Sequence, residues 1–290
     1  MVDSVQFFLP TLTAHIPLIT GETMPKVKTN GIELYYETHG EGKPLVLISG
    51  LGYPLWQWRT MVPFLAEHFK VITFDNRGVG HSDKPAGPYT ARMLAADTVG
   101  LLDALGIEKA IIAGHSMGGF IAQALALDFP QRVDKLVLCS TNFGGPHHVP
   151  VTPEAMKVLT DVTSDALTRF KNGLGVSTAP GWAEANPEIF EEWVKWRIAN
   201  PIEPAPYQSQ LAIGLALLPE AAAFENKLPN ISVPTLILFG AHDKVVPPAN
   251  ADLLAKQLAG SVIRILPDAG HFFPIEVPES SSHAIIEFAK

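Results

Sequence analysis

Cysteine is almost absent: the 290 residues contain one, Cys139, which excludes an intramolecular disulfide. Its place in an apolar strand-like run points to a buried, inert thiol. Charge is also scarce. Charged residues make up 17% of the chain, the net charge is −8 and no long basic run occurs, which argues against nucleic acid as a partner. No apolar run approaches the length needed to span a bilayer. Near the N-terminus, Val5 to Leu9 and Ile16 to Ile19 are apolar. Pro10, His15 and Pro17 interrupt them, and Asp3 stands where a secretory signal needs Lys or Arg. This does not read as a standard signal peptide; residues 1–23 are expected to be an N-terminal extension, and the protein is expected to be cytoplasmic.

What is present is a repeating rhythm. With 47% hydrophobic residues, the chain is rich enough to bury a sizeable core as one large unit with an insertion. Strand-like runs near Val27, Leu34, Leu45, Val71, Ala110, Leu136, Thr235 and Val262 alternate with helical stretches, the pattern of a mostly parallel sheet covered on both faces. After Leu136 to Ser140 the rhythm stops. The next residues read as helices broken at Gly173-Leu-Gly, Pro187, Pro201, Pro204, Pro206 and Pro219. The expected division is an α/β core over 24–141 and 231–290, with 142–230 inserted as a helical cap, or lid, above one sheet edge.

Chemistry concentrates in one segment. Ile111 to Phe120 read I-I-A-G-H-S-M-G-G-F, a β-branched run that breaks into Gly-x-Ser-x-Gly and then into an apolar helical stretch ending before Pro130. This is the signature of a nucleophile elbow, in which a sharp strand-to-helix turn holds a serine oxygen clear of its neighbours at a helix N-terminus. Gly114 and Gly118 leave room for the crossing chains, and Gly119 lets the helix lie close to the sheet. The competing reading, a glycine turn that only packs a helix on a strand, loses weight because both flanks have the required pattern.

A serine hydroxyl needs a base, and the base needs an orienting acid. Among ten histidines, His271 follows the strand-like Val262 to Leu266, and Asp243 follows Thr235 to Phe239. Both sit where catalytic groups gather in α/β sheets, in the order Ser, Asp, His. Asp268 is the rival acid and is expected to cap a turn instead. By strand alternation His115 should face away from the nucleophile and support packing. His147 and His148 form a pair without the further ligands a metal site requires.

The chain resembles the α/β-hydrolase superfamily, in its capped esterase, lactonase and haloperoxidase-like branch. Five ordered segments carry the likeness, which runs from about Met24 to the C-terminus: S-G-L-G-Y at Ser49, D-N-R-G-V-G-H-S-D at Asp75, G-H-S-M-G-G at Gly114, G-A-H-D at Gly240 and D-A-G-H at Asp268. The resemblance implies an eight-stranded, mostly parallel sheet with helices on both faces and an inserted helical cap. It further implies Ser116 as nucleophile, His271 as general base and acid, Asp243 as orienting carboxylate, and the backbone N–H groups of Leu51 and Met117 as the oxyanion hole. One departure stands in the first segment, where the family commonly has His-Gly and this chain has Ser49-Gly50. Asp75, Arg77 and Ser82 are expected to tie loops together below the active edge.

The resulting expectation is a carboxylic ester hydrolase, a serine esterase or lactonase working by two-step acyl transfer, with no cofactor and no metal. A base that must be neutral to act predicts activity falling at acid pH. In the cap, Trp182, Trp193 and Trp196, together with Phe272 beside the histidine, are candidates to line an apolar substrate pocket, with Phe170, Phe190 and Phe224 nearby. At helical spacing Trp193, Trp196 and Phe190 fit one face, which puts packing of the cap helices ahead of a pocket role. Few cations are placed to hold an anion, though Arg169 and Arg197 are available, so the expected small-molecule substrate is a neutral ester or lactone. The alternatives on this scaffold are carbon–carbon bond hydrolysis, cofactor-free haloperoxidation and a non-catalytic ligand receptor.

Overall fold

The computed structural model describes residues 24–161 and 163–290, so the extension expected over 1–23 lies outside the described residues. Eight strands form one sheet: β1 (Lys26–Thr29), β2 (Ile32–His39), β3 (Lys43–Ile48), β4 (Phe69–Phe74), β5 (Ala110–His115), β6 (Val133–Cys139), β7 (Thr235–Gly240) and β8 (Val262–Leu266). They lie in the order β1-β2-β4-β3-β5-β6-β7-β8. β1 and β2 are antiparallel, and β2 runs antiparallel to β4. Every remaining pair is parallel. Each expected strand is present.

The helices are α1 (Val62–Ala66), α2 (Ala91–Ala104), α3 (Met117–Asp128), α4 (Pro153–Leu159), α5 (Ala166–Ser177), α6 (Trp182–Ala185), α7 (Pro187–Ala199), α8 (Pro204–Ala216), α9 (Ala249–Gln257), α10 (Phe273–Glu276) and α11 (Pro278–Ala289). Strand alternation sends successive apolar residues to opposite faces. Val46, Ile48, Ile112, Leu138 and Ile237 join one core with residues of α2, α3 and α9. Their neighbours Leu45, Leu47, Ile111, Val137 and Leu236 join another with residues of α1 and α11. Each such fully buried aliphatic side chain contributes about 1.5–3 kcal/mol relative to exposure, which is why the strands read as continuous apolar runs. Cys139 lies in the second core, where burial pushes its thiol pKa far up and keeps it unreactive.

Between β6 and β7 the chain is helical from α4 to α8, but two of the expected breaks are not breaks. Gly173 and Gly175 lie inside α5, whose C-terminal turn is reinforced by Ser177 Oγ donating to the Gly173 carbonyl. Pro206 lies within the first turn of α8, where the N–H that proline lacks would have no partner within the helix. Pro187 and Pro204 open α7 and α8. No helix of the described residues is long and apolar enough to cross a membrane.

Candidate active site

The parallel strands deliver three side chains to one edge of the sheet. Ser116 sits between β5 and α3 with φ 55° and ψ −118°, a left-handed conformation costly for a residue with a Cβ. The crossing is tight enough to require glycine: a Cβ on Gly114 would run into the Gly118 carbonyl, and one on Gly118 into the Ile48 carbonyl. A Cβ on Gly119 would meet the Thr141 side chain just past β6. Ser116 itself remains partly exposed.

Asp243 lies just beyond β7 and His271 beyond β8, and the structure brings them together. His271 Nδ1 is 2.9 Å from Asp243 Oδ2, with both side chains buried. A carboxylate only accepts, so Nδ1 carries a proton, and in the neutral tautomer this leaves Nε2 with its lone pair. The other carboxylate oxygen, Oδ1, accepts the N–H groups of Val245 at 2.9 Å and Val246 at 2.7 Å. Among the described residues Ser116 Oγ makes no hydrogen bond, to His271 or to any other group. The N–H groups of Leu51 and Met117 likewise donate to no acceptor among the described residues, whereas those of Gly50, Gly52 and Ser116 all do.

His115 does more than pack. Its Nε2–H donates to the main-chain carbonyl of His271 at 2.8 Å, so its Nδ1 accepts from Gln57 Nε2, also at 2.8 Å. Gln57 Oε1 in turn accepts the Gly50 N–H at 2.8 Å. Burial holds the His115 pKa well below the ordinary histidine value, and the neutral ring links the loop after β3 to the loop carrying His271. Where the family commonly has histidine, the Ser49 hydroxyl donates to the Pro54 carbonyl at 3.3 Å within the same loop. Asp75 accepts the Leu55 and His81 N–H groups, each at 2.8 Å, and Ser82 Oγ donates to the Asp75 carbonyl at 2.6 Å, so this stretch does fasten loops together. Asp268 is exposed and its carboxylate makes no hydrogen bond among the described residues, so the expected turn cap is not there.

Sequence reasoning missed Glu276. Buried in α10 between Ile275 and Val277, it accepts the Gly270 N–H on both oxygens at 3.0 Å and the Ala179 N–H at 2.6 Å. A lone carboxylate inside F-F-P-I-E-V was the available signal. Burial pushes its pKa up to about 7, against the opposing pull of those N–H donors. Because 7 lies above the ordinary value of 4.5, the folded chain holds a proton that the unfolded chain releases across that window. Stability from this group is therefore full below about pH 4.5 and lost as pH rises through 7. Glu276→Gln, which cannot titrate, should flatten the unfolding free energy between pH 5 and 8 by at most about 3 kcal/mol. Urea unfolding at several pH values reads this directly, and an unchanged slope would contradict it.

A family model described as alpha/beta hydrolase fold matches residues 43–278, the span that holds all of these features. The chain belongs to the α/β-hydrolase fold family. It is 29% identical over 260 residues to 3-oxoadipate enol-lactonase 2 of Acinetobacter baylyi, covering 88% of this chain and 92% of that protein. Among solved structures, the enol-lactonase from Burkholderia xenovorans LB400 is 32% identical with a TM-score of 0.76, covering 91% of this chain and 99% of that one. The thermophilic esterase from Thermogutta terrifontis is 30% identical with a TM-score of 0.75, covering 91% and 98%.

In this α/β-hydrolase the cap aromatics pack together. Trp182 and Trp193 are buried in a cluster with Trp56, Leu174, Phe272 and Ile275, and Trp196, Phe170 and Phe190 pack against it. Trp193 meets Trp56 edge-on at 5.0 Å and Phe272 at 5.9 Å, while Phe272 lies 5.6 Å from the His271 ring. Phe224 is elsewhere, in the core beneath α3. A cavity of about 210 Å³ opens between the loops at Gly52 and Val79 and cap residues 197–203, and none of Trp182, Trp193, Trp196 or Phe272 lines it. His147 pairs with Glu225 at 2.8 Å on the surface. Among the described residues no group of three His, Cys, Asp or Glu side chains is placed to hold a metal ion.

Proposed function

We propose that the protein is a serine hydrolase that cleaves a neutral, moderately apolar carboxylic ester or lactone, with Ser116 as nucleophile, His271 as base and Asp243 as its orienting carboxylate. The observation that carries this reading is the Asp243–His271 contact: it selects the tautomer of the neutral ring in which Nε2 can act as base, beyond the same ends of the parallel strands that present a strained, unbonded Ser116 hydroxyl. The substrate class draws further support from the lactonase and esterase relatives.

The reaction follows from these groups. Ser116 Oγ bonds to the carbonyl carbon while its proton passes to His271 Nε2, and Asp243 stabilises the resulting imidazolium. The carbonyl oxygen becomes an oxyanion facing the unoccupied N–H groups of Leu51 and Met117, donors fixed in place before the charge forms. Collapse breaks the ester C–O bond and the leaving oxygen takes the proton from His271; with a lactone it stays tethered to the acyl chain. Water then gives a proton to His271 and attacks the acyl-enzyme. The second collapse returns that proton to Ser116 Oγ and releases the acid. Residues 142–230 serve as a lid over this edge, and Phe272 sets an apolar ring beside His271.

A panel of p-nitrophenyl esters of graded acyl length, run beside simple lactones, tests the assignment. Turnover is expected for at least the short esters. Specific binding of such compounds without any hydrolysis would support the receptor alternative and overturn the proposal.

A further inference from the structure

The cap holds the loop that carries Leu51. Gly52 follows Leu51 with φ 71°, and its peptide groups are gripped from two cap helices. Gly52 N–H donates to Gln210 Oε1 of α8 at 2.9 Å, and the Gly52 carbonyl accepts from Arg197 Nη2 of α7 at 3.0 Å. Both side chains are more than nine-tenths buried. Gln210 is itself braced, its Nε2 donating to the Arg77 carbonyl at 2.8 Å. Arg197 is held between rings, its guanidinium lying 4.7 Å from the Tyr53 ring centre and 5.3 Å from those of Trp56 and Phe170. On the other side of Leu51, Gly50 N–H is fixed by Gln57. The peptides on either side of the one bearing the Leu51 N–H are therefore both pinned.

Arg197 has a further peculiarity. Its buried cation meets no carboxylate among the described residues, its Nη1 reaches only the Asn200 carbonyl at 3.3 Å, and its buried Nε has no partner. Burying a guanidinium on carbonyls and ring faces, without a carboxylate, is costly, and a purely structural contact could be made more cheaply by an apolar side chain. Cap packing alone does not account for it.

We propose that Arg197 and Gln210 are positioning residues for the reaction: by clamping the Gly52 peptides they aim the Leu51 N–H at the developing oxyanion, so the cap completes the catalytic geometry as well as covering it. This inference rests on the proposed role of Leu51 in ester cleavage. A donor displaced by about 1 Å loses most of its advantage in the transition state while leaving ground-state binding nearly intact.

The test uses Gln210→Met and Arg197→Met, close in volume to the originals, with Arg197→Lys as the conservative variant and circular dichroism to verify folding. Each Met variant is expected to lower kcat about 10- to 100-fold with KM changed less than about threefold, and Arg197→Lys to recover most of the loss. Inhibition by an aryl trifluoromethyl ketone, which forms a tetrahedral oxyanion on the serine, should weaken by the same factor as kcat/KM. An unchanged kcat in any folded Met variant, whatever happens to KM, overturns the clamp. Should Arg197→Met not fold, Gln210→Met alone decides. Ser116→Ala in the same assay separates the two ideas: an inactive Ser116→Ala with fully active clamp variants refutes only the clamp, and an active Ser116→Ala refutes the hydrolase mechanism itself.

Discussion

Ser116→Ala is expected to lower turnover of every ester substrate by about 10⁶ while leaving the fold intact. The size follows from removing the atom that bonds to substrate: what remains is binding and any stabilisation of the oxyanion by N–H donors. Stability should hardly change. Ser116 Oγ makes no hydrogen bond among the described residues, so its loss strands no partner, and alanine experiences much the same backbone strain at φ 55°. A Tm within about 2 °C of the parent is therefore expected. Thermal unfolding and ester kinetics on one sample measure both. A variant that keeps more than about 1% of parental turnover would move the chemistry to another group.

Asp243→Asn is expected to cost about 10⁴ in turnover, and the surrounding hydrogen bonds explain the direction. The Val245 and Val246 N–H groups both point at Oδ1, so the amide oxygen of asparagine takes that position and its NH2 faces His271 Nδ1. An amino group donates, so Nδ1 must accept and the ring proton moves to Nε2. That tautomer cannot take the serine proton. The substitution is nearly isosteric, so folding should survive and the loss should appear in kcat. Steady-state kinetics decides it: a loss below about 100-fold would mean that Asp243 only supports the loop.

Much of this site was legible because its signals are local. Gly114, Ser116 and Gly118 occupy one short segment whose flanks reveal strand and helix, and Asp243 and His271 each follow an apolar run of strand length. The strand rhythm likewise yields all eight strands, most plainly the buried parallel ones from β3 to β7, which must be apolar on both faces. The cap was harder to read. Glycine weakens helices, yet Gly173 and Gly175 lie within α5, where packing of Leu174 into the aromatic cluster outweighs a propensity penalty of about 1 kcal/mol each.

Least visible were residues whose role exists only after folding. Gln57, Arg197 and Gln210 carry no motif, and each acts on backbone groups of the Gly50 to Gly52 loop, Gln210 from 158 positions away in the chain. Glu276 could have been suspected as a charge in an apolar run, but its partners could not. Phe224 was grouped with the cap aromatics by proximity in sequence and packs instead with the sheet core.

Peptide mapping by mass spectrometry after exposure to an alkyl fluorophosphonate tests the central claim most directly. Such a reagent modifies a serine only where a neighbouring base takes the hydroxyl proton and the phosphoryl oxygen finds donors. The account predicts one phosphonyl group per chain, on Ser116, with labelling abolished in His271→Ala. A folded protein that stays unlabelled, or one modified at another serine, would contradict it.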